Sequence, residues 1–428
     1  MKEREKMQIK ILGSGKEVGR AAISVEYNNR SVLLDYGVNF DENDNPVMPL
    51  HISPIKLDGV VLSHVHLDHI GAAPLLYSSV KPKAFSTRVT RHLARLMLED
   101  FLKLSGYYLD FEINEVNSLL SSIQDVKAGD FVKLSEFFSL DFYHSGHIPG
   151  SLSVKVSTPD GSLIYTADIN SIDTKLVESA KIDGAEADVL IIESTYGNAN
   201  HPERKDVEKR LTESVNEVLE KGGTVLIPVF SVGRGQEIMT ILAENDVSPV
   251  YIDGMVKQAT EIMLENKVFL KNSELLEKAY SEQIFLKGWQ DRRKVWKKPC
   301  VIVSSSGMLK GGPSRYYLRK IADDEKNAVF LVSFQGKNTP GRSIIERGIY
   351  EDGGKPVKAR VEWMDFSSHA GKNGLIEIIK SIRNLEKIIL VHGEPESQNV
   401  LADEIKQQTG IVPVIPNTGE VISFSKKH

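Results

Sequence analysis

Short apolar runs separated by polar turns set the rhythm of the first half of the chain. Residues 8–12, Gln-Ile-Lys-Ile-Leu, alternate and predict a half-buried strand. Residues 21–27 and 31–35 meet at Asn28-Asn29 and predict a hairpin. Gly59-Val60-Val61-Leu62 is apolar throughout and reads as a buried strand, followed by a turn into helix at residues 70–76. Residues 86–125 place Leu93, Leu96, Met97, Phe101 and Leu104 at helical spacing and predict helix with a core-facing stripe. Residues 152–156 and 163–165 flank Pro159-Asp160-Gly161 as a second hairpin, and 189–193 is another buried strand.

From about residue 201 the pattern changes to alternating helix and strand. Residues 201–221 form a charged amphipathic helix, and 224–229, 250–253, 300–304 and 328–333 are strands, which implies a parallel sheet. Small, amide-rich loops with Arg234, Ser305, Arg315 and Arg342 suit phosphate oxygens, although tight packing turns look the same. The run 287–298 interleaves Trp289 and Trp296 with Arg292, Arg293, Lys294 and Lys297. It suits single-stranded nucleic acid, but an amphipathic helix with its tryptophans in the core is the blander and favoured reading. Two last strands, 361–366 and 387–391, run into His369 and His392.

The densest chemistry follows the strand at 59–62, in Ser63-His64-Val65-His66-Leu67-Asp68-His69. His64 and His66 face one way on extended backbone, while Asp68 and His69 follow the turn and can face a second point. Imidazole and carboxylate are ligands that zinc accepts, and four of them in six positions can begin a site for two ions. A polar loop with chance histidines has no need of this density. Other candidates stand at strand ends: Asp35, His144, His147, Asp168 and Glu193. Residues 13–19 are glycine-rich but lack the Gly-Lys-Ser/Thr ending of a nucleotide loop.

Composition narrows the class. The 428 residues are 41% hydrophobic and 26% charged, which is globular, and the length favours two domains. No apolar run reaches the ~18 residues of a membrane span, and the charged start, residues 1–6, is no signal peptide. One cysteine, Cys300, excludes an internal disulfide and fits a reducing cytoplasm, the expected location. A net charge of -5 means that a nucleic-acid enzyme would need a locally basic surface.

His64-x-His66-x-Asp68-His69 resembles the second motif of the metallo-β-lactamase superfamily. Asp35 is similar to its first motif, an aspartate that orients the histidine loop. His147, in Gly-His-x-x-Gly, is similar to the third, and Asp168 to the fourth, the carboxylate bridging both ions. Glu193, His369 in Ser-Ser-His-Ala-Gly and His392 in Val-His-Gly-Glu resemble motifs A, B and C of the β-CASP nucleases, the nucleic-acid branch of that superfamily. Residues 230–237, 305–313 and 336–342 look most like archaeal relatives of the cleavage and polyadenylation specificity factor nuclease, with RNase J as a cousin. With the first strand at residue 8 and the last apolar run at 422–424, neither amino-terminal KH domains nor the carboxy-terminal domain of bacterial RNase J is expected.

This resemblance implies an α/β fold: a metallo-β-lactamase αββα sandwich over 1–200 and 346–428, interrupted by an α/β β-CASP domain over 201–345. It implies two zinc ions, one held by His64, His66 and His147, the other by Asp68, His69 and His392, with Asp168 bridging; a carboxylate-rich site also admits manganese. It assigns His369 as the acid that protonates the leaving oxygen and Glu193 as its carboxylate partner. His392 at motif C favours RNA over DNA. The expected activity is hydrolysis of single-stranded RNA, by endonuclease or 5′-to-3′ exonuclease action, in RNA processing or decay. The expected partners are that RNA, a processing or decay complex and a second copy as the commonest default; no membrane partner is expected. A small-ester or thioester hydrolase and a catalytically silent RNA-binding subunit are the alternatives.

Overall fold

The computed structural model describes residues 6–350 and 354–426; the charged residues 1–5 lie outside them. Contacts divide the chain into two compact units. The first runs to Asp173 and adds Glu178–Asn200 and Ser368 onward; the second comprises Thr174–Val177 and His201–Ser367. The return to the first unit therefore comes at Ser368, later than the 346 expected from sequence. Strand Arg360–Trp363 is the reason, because it pairs in parallel with Ala328–Leu331 of the second unit.

The first unit holds two sheets. One has seven strands in the order Val421–Phe424, Met7–Ile11, Ile23–Tyr27, Arg30–Leu34, Leu57–Val61, Ala84–Ser86, Ile123–Asp125. The hairpin between Ile23–Tyr27 and Arg30–Leu34 turns through Asn28 (φ 52°) and Asn29 (φ 58°), the left-handed pair that a tight two-residue turn requires. The other sheet has six strands in the order Lys387–Val391, Val189–Glu193, Gly161–Tyr165, Leu152–Thr158, Ser139–His144, Phe131–Lys133. Alternate residues of both sheets, among them Ile9, Val25, Val32, Phe142, Val154, Leu163 and Ile191, bury one shared core. The opposite face of the six-stranded sheet, with Ile164, Leu190 and Leu390, packs on Leu375 and Ile379 of helix Lys372–Ser381 and on Leu401 and Ile405 of helix Pro395–Thr409. Both faces are covered, so these strands read as continuous apolar runs.

The expected helical stretch 86–125 is not one element. Helix Arg88–Ser105 ends at Gly106, a second helix spans Ile113–Ser122, and the ends, Ala84–Ser86 and Ile123–Asp125, are strands. Leu93 and Phe101 are buried as expected, but Leu104 is 79% exposed, because the stripe turns out of the core in the last turn.

The second unit is a six-stranded, wholly parallel sheet in the order Ile284–Phe285, Val250–Asp253, Cys300–Ser304, Thr224–Pro228, Ala328–Leu331, Arg360–Trp363. Its helices bury one core on each face. Cys300 is buried in its strand, as the sequence predicted.

Candidate metal centre

The candidate ligands stand where strands of the first unit end. Leu57–Val61 leads to His64, Ser139–His144 to His147, Gly161–Tyr165 to Asp168, and Lys387–Val391 to His392. Positive φ values at Asp35 (56°), Ala167 (49°) and His392 (50°) turn the chain sharply as it leaves these strands. Backbone strain of this kind is held only where surrounding structure determines it.

The histidine loop is fixed through its backbone. Ala21 N and Val38 N donate to Asp68 O and Leu67 O at 2.7 and 3.0 Å, and Tyr36 N donates to His69 O at 2.8 Å. Gly37 lies so close that a Cβ there would sit 1.7 Å from the Asp68 carbonyl oxygen. The glycine-rich loop serves the same purpose: Ser14 O and Glu17 O accept from the backbone N–H groups of His392 and Gly393, each at 3.0 Å.

Asp35 is fully buried and holds the side chains. Its Oδ2 accepts from His69 Nδ1 at 2.7 Å, from Ser63 Oγ at 2.7 Å and from the Tyr165 hydroxyl at 2.9 Å, while Oδ1 accepts from Ser63 N. Ser63 Oγ lies 3.1 Å from His64 Nδ1, and His147 Nδ1 donates to Ser368 O at 2.9 Å. These partners favour the tautomer protonated at Nδ1, so that the Nε2 atoms of His64, His69 and His147 face inward. Ser63, Tyr165 and the Ser368 carbonyl were not assigned from sequence. The signal for the first two was present: Ser63 adjoins His64, and Tyr165 lies on the strand that delivers Asp168.

Two groups result. His64, His66, His147 and Asp168 form one and Asp68, His69 and His392 the other, the ligand atoms of each lying within 4.8 Å of one another. His64 Nε2 is 3.1 Å and His147 Nε2 3.2 Å from His66 Nδ1. That is close to the edge of a tetrahedron built on Zn–N bonds of about 2.1 Å. Asp168 reaches both groups, with Oδ2 at 3.5 Å from His64 and His147 and Oδ1 at 3.2 Å from His69.

Electrostatics support a cation here. Burial drives the pKa values of His64 and His147 well below the ordinary imidazole range, so both rings offer lone pairs. Burial opposes charge on His69 too, yet Asp168, Asp35 and Asp68 more than offset it and push that pKa well above the ordinary value. His69 Nε2 and Asp168 Oδ1 are buried, face each other and have no hydrogen-bond partner among the described residues. A cation between them meets the demand that a second ring proton would otherwise meet, so the residues present fit a metal.

A third cluster adjoins these. His369 Nδ1 donates to Glu193 Oε1 at 2.8 Å, and His369 Nε2 lies 3.8 Å from Asp168 Oδ2. Glu193 is buried and also accepts from Ile169 N and Thr195 N. His144 stands apart: its Nε2 bonds to Glu178 O.

The phosphate candidates lie in the second unit and are differently engaged. Arg234 is buried, with Nη1 donating to Glu237 at 2.9 Å. Arg315 donates to Lys310 O, Arg342 pairs with Glu346, and Ser305 O accepts from Ser314 N.

Asp35→Asn tests the orienting role. The amide cannot accept from His69, Ser63 and Tyr165 together. Metal affinity, measured by competition with a chromophoric chelator, should fall about 10–100-fold. Unchanged affinity would remove Asp35 from the design.

Residues 24–194 match a metallo-beta-lactamase superfamily domain, 236–344 the Beta-Casp domain, and 354–416 a Zn-dependent metallo-hydrolase RNA specificity domain. The chain is 49% identical to "RNase aCSPSF2" of Saccharolobus solfataricus, over 97% of this chain and 85% of that protein. It is 35% identical to "Probable RNase MJ4" of Methanocaldococcus jannaschii, over 97% and 100%. It is 33% identical to "Transcription termination factor FttA" of the same organism, over 94% and 69%. A crystal structure of a protein of unknown function from Enterococcus faecalis shares the fold, with a TM-score of 0.61 at 14% identity over 98% and 100% of the two chains.

Proposed function

The chain belongs to the β-CASP family of metallo-β-lactamase-fold RNases, and on that premise we propose that it hydrolyses single-stranded RNA at a two-metal centre. The carrying observation is the double ligand cluster joined by Asp168. His64, His66 and His147 would hold one zinc, Asp68, His69 and His392 the other, with Asp168 between; manganese is an alternative occupant. Two cations held there would lower the pKa of water and offset charge on the phosphate oxygens.

The chain's own residues complete the reaction. Water oxygen bonds to phosphorus, its proton passing to solvent, as the bond from phosphorus to a ribose oxygen breaks. The departing oxygen needs a proton, which His369 delivers from Nε2 while Glu193 holds Nδ1. Thr195 Oγ1, 3.3 Å from His392 Nδ1, steadies that ring. His392 favours RNA over DNA, and a reducing cytoplasm suits a chain whose one cysteine is buried. Among the described residues no helix is long and apolar enough to cross a membrane.

Protein purified without added metal should carry about two zinc ions per chain and cleave a labelled RNA oligomer faster than the matching DNA. Less than about one zinc, with turnover indifferent to chelators, would refute the metal centre. Faster DNA cleavage would refute the RNA assignment, and bound zinc without turnover would leave a silent binding subunit.

A further inference from the structure

The basic run 287–298 takes no part in the metal chemistry, and the second unit carries it at its surface. The sequence favoured tryptophans in the core. The structure corrects this for Trp289, which keeps 57% of its surface exposed. Single exposed apolar residues need no explanation. Trp289 differs in being pinned.

Trp289 opens the helix Trp289–Val295. The Arg292 guanidinium lies 5.2 Å from the centre of its ring, and Tyr316 meets it edge-on at 5.3 Å and 88°. Arg292 is itself fixed, donating from Nε and Nη2 to the two oxygens of buried Asp253 at 2.7 and 2.8 Å. The Tyr317 hydroxyl donates to Asp253 Oδ2 at 2.7 Å. The indole therefore keeps its orientation while much of its surface meets solvent.

Cations continue the surface. Lys320 Nζ stands 5.7 Å from the Tyr316 ring and 5.9 Å from that of Trp296, and Lys297 Nζ stands 5.8 Å from Trp296. Both lysines are exposed. The run 287–298 holds six cations against one carboxylate, Asp291, in a chain whose net charge is -5. An oriented, open aromatic ring beside clustered lysines matches an unpaired nucleotide, whose base can stack while its phosphates meet the cations. A duplex keeps its bases stacked inside and could use only the lysines.

We propose that the face formed by Trp289, Tyr316, Trp296, Lys297 and Lys320 is a docking surface for single-stranded RNA, additional to the metal centre. A base stacks on Trp289 and the lysines take adjoining phosphates. The proposal rests on RNA being the substrate.

The test uses the full chain carrying His369→Ala, to suppress cleavage, and a fluorescent single-stranded RNA read by anisotropy. Adding Trp289→Ala should weaken binding about 5-fold or more, and Trp289→Phe should restore most of it. Lys297→Ala and Lys320→Ala should each lower the slope of log affinity against log salt by about 0.7. Equal affinity of the Trp289→Ala chain would overturn the proposal. So would an equal loss on duplex RNA, or a change of oligomeric state on gel filtration, which would make the face an interface between copies. Failure of the parent to bind RNA at all would sink the RNA reading, and this surface with it.

Discussion

His369→Ala is expected to keep both metals and lose about 10²–10⁴-fold in the rate of RNA cleavage, the usual contribution of a positioned proton donor. His369 Nδ1 is committed to Glu193, which turns Nε2 toward the candidate metal centre, 3.8 Å from Asp168 Oδ2. Burial lowers its pKa, but Glu193 and Asp168 more than offset this and lift it to about 9. Asp68 adds to the lift, while the rings of His147 and His392 stand 4.7 and 6.3 Å away. Cations beside Asp168 would cancel part of its field and bring the proton nearer the neutral range in which an acid works best. Glu193→Gln removes the carboxylate nearest Nδ1, so the pKa drops and the alkaline limb of the pH–rate profile should move to lower pH. Rate and metal content must be read together. Loss of metal from His369→Ala would make it a ligand, and a parental rate would end its catalytic assignment.

The second large effect is on stability. Glu237 is buried in the second unit between two arginines, with Arg204 Nη2 at 2.5 Å and Arg234 Nη1 at 2.9 Å. Arg204 also donates to Ser367 O and lies over the Phe366 ring. Glu237→Ala leaves two guanidinium groups without their shared carboxylate and should destabilise the second unit by about 3–5 kcal/mol. Burial raises the Glu237 pKa, but Arg204 and Arg234 more than offset that and hold it below the ordinary 4.5. The contribution is therefore full above the unfolded value and lost as pH falls through the lower folded one. The readout is specific, because Trp289, Trp296 and Trp363 all lie in this unit, so tryptophan fluorescence during urea unfolding follows it alone. A midpoint equal to the parent's would mean that the arginines find other partners.

The clustering of the candidate ligands was legible because they follow continuous apolar strands, and a strand end fixes where its next residues point. The hairpin at Asn28-Asn29 was legible because few residues tolerate its backbone. What sequence missed depended on burial and on how neighbouring side chains are oriented. Gly106 breaks the stretch 86–125 where the apolar spacing continues, and Leu104 keeps helical phase after the core has ended. Arg234 looked suited to phosphate, and the residue types alone did not show that it would be buried against Glu237 three residues on. Trp289 looked like core because spacing alone cannot reveal Arg292, Asp253 and Tyr316 arranged around an exposed ring.

The first unit is discontinuous, and its last strand, Val421–Phe424, pairs with its first, Met7–Ile11. During synthesis on the ribosome, Asp168 emerges more than two hundred residues before His392. At about 5–20 residues per second, that gap lasts on the order of 10–45 s. The second unit, continuous from His201 to Ser367 apart from the short piece Thr174–Val177, can fold in that interval, before the last candidate ligand has been made. A nascent chain therefore lacks the candidate ligand His392 until its final segment is made.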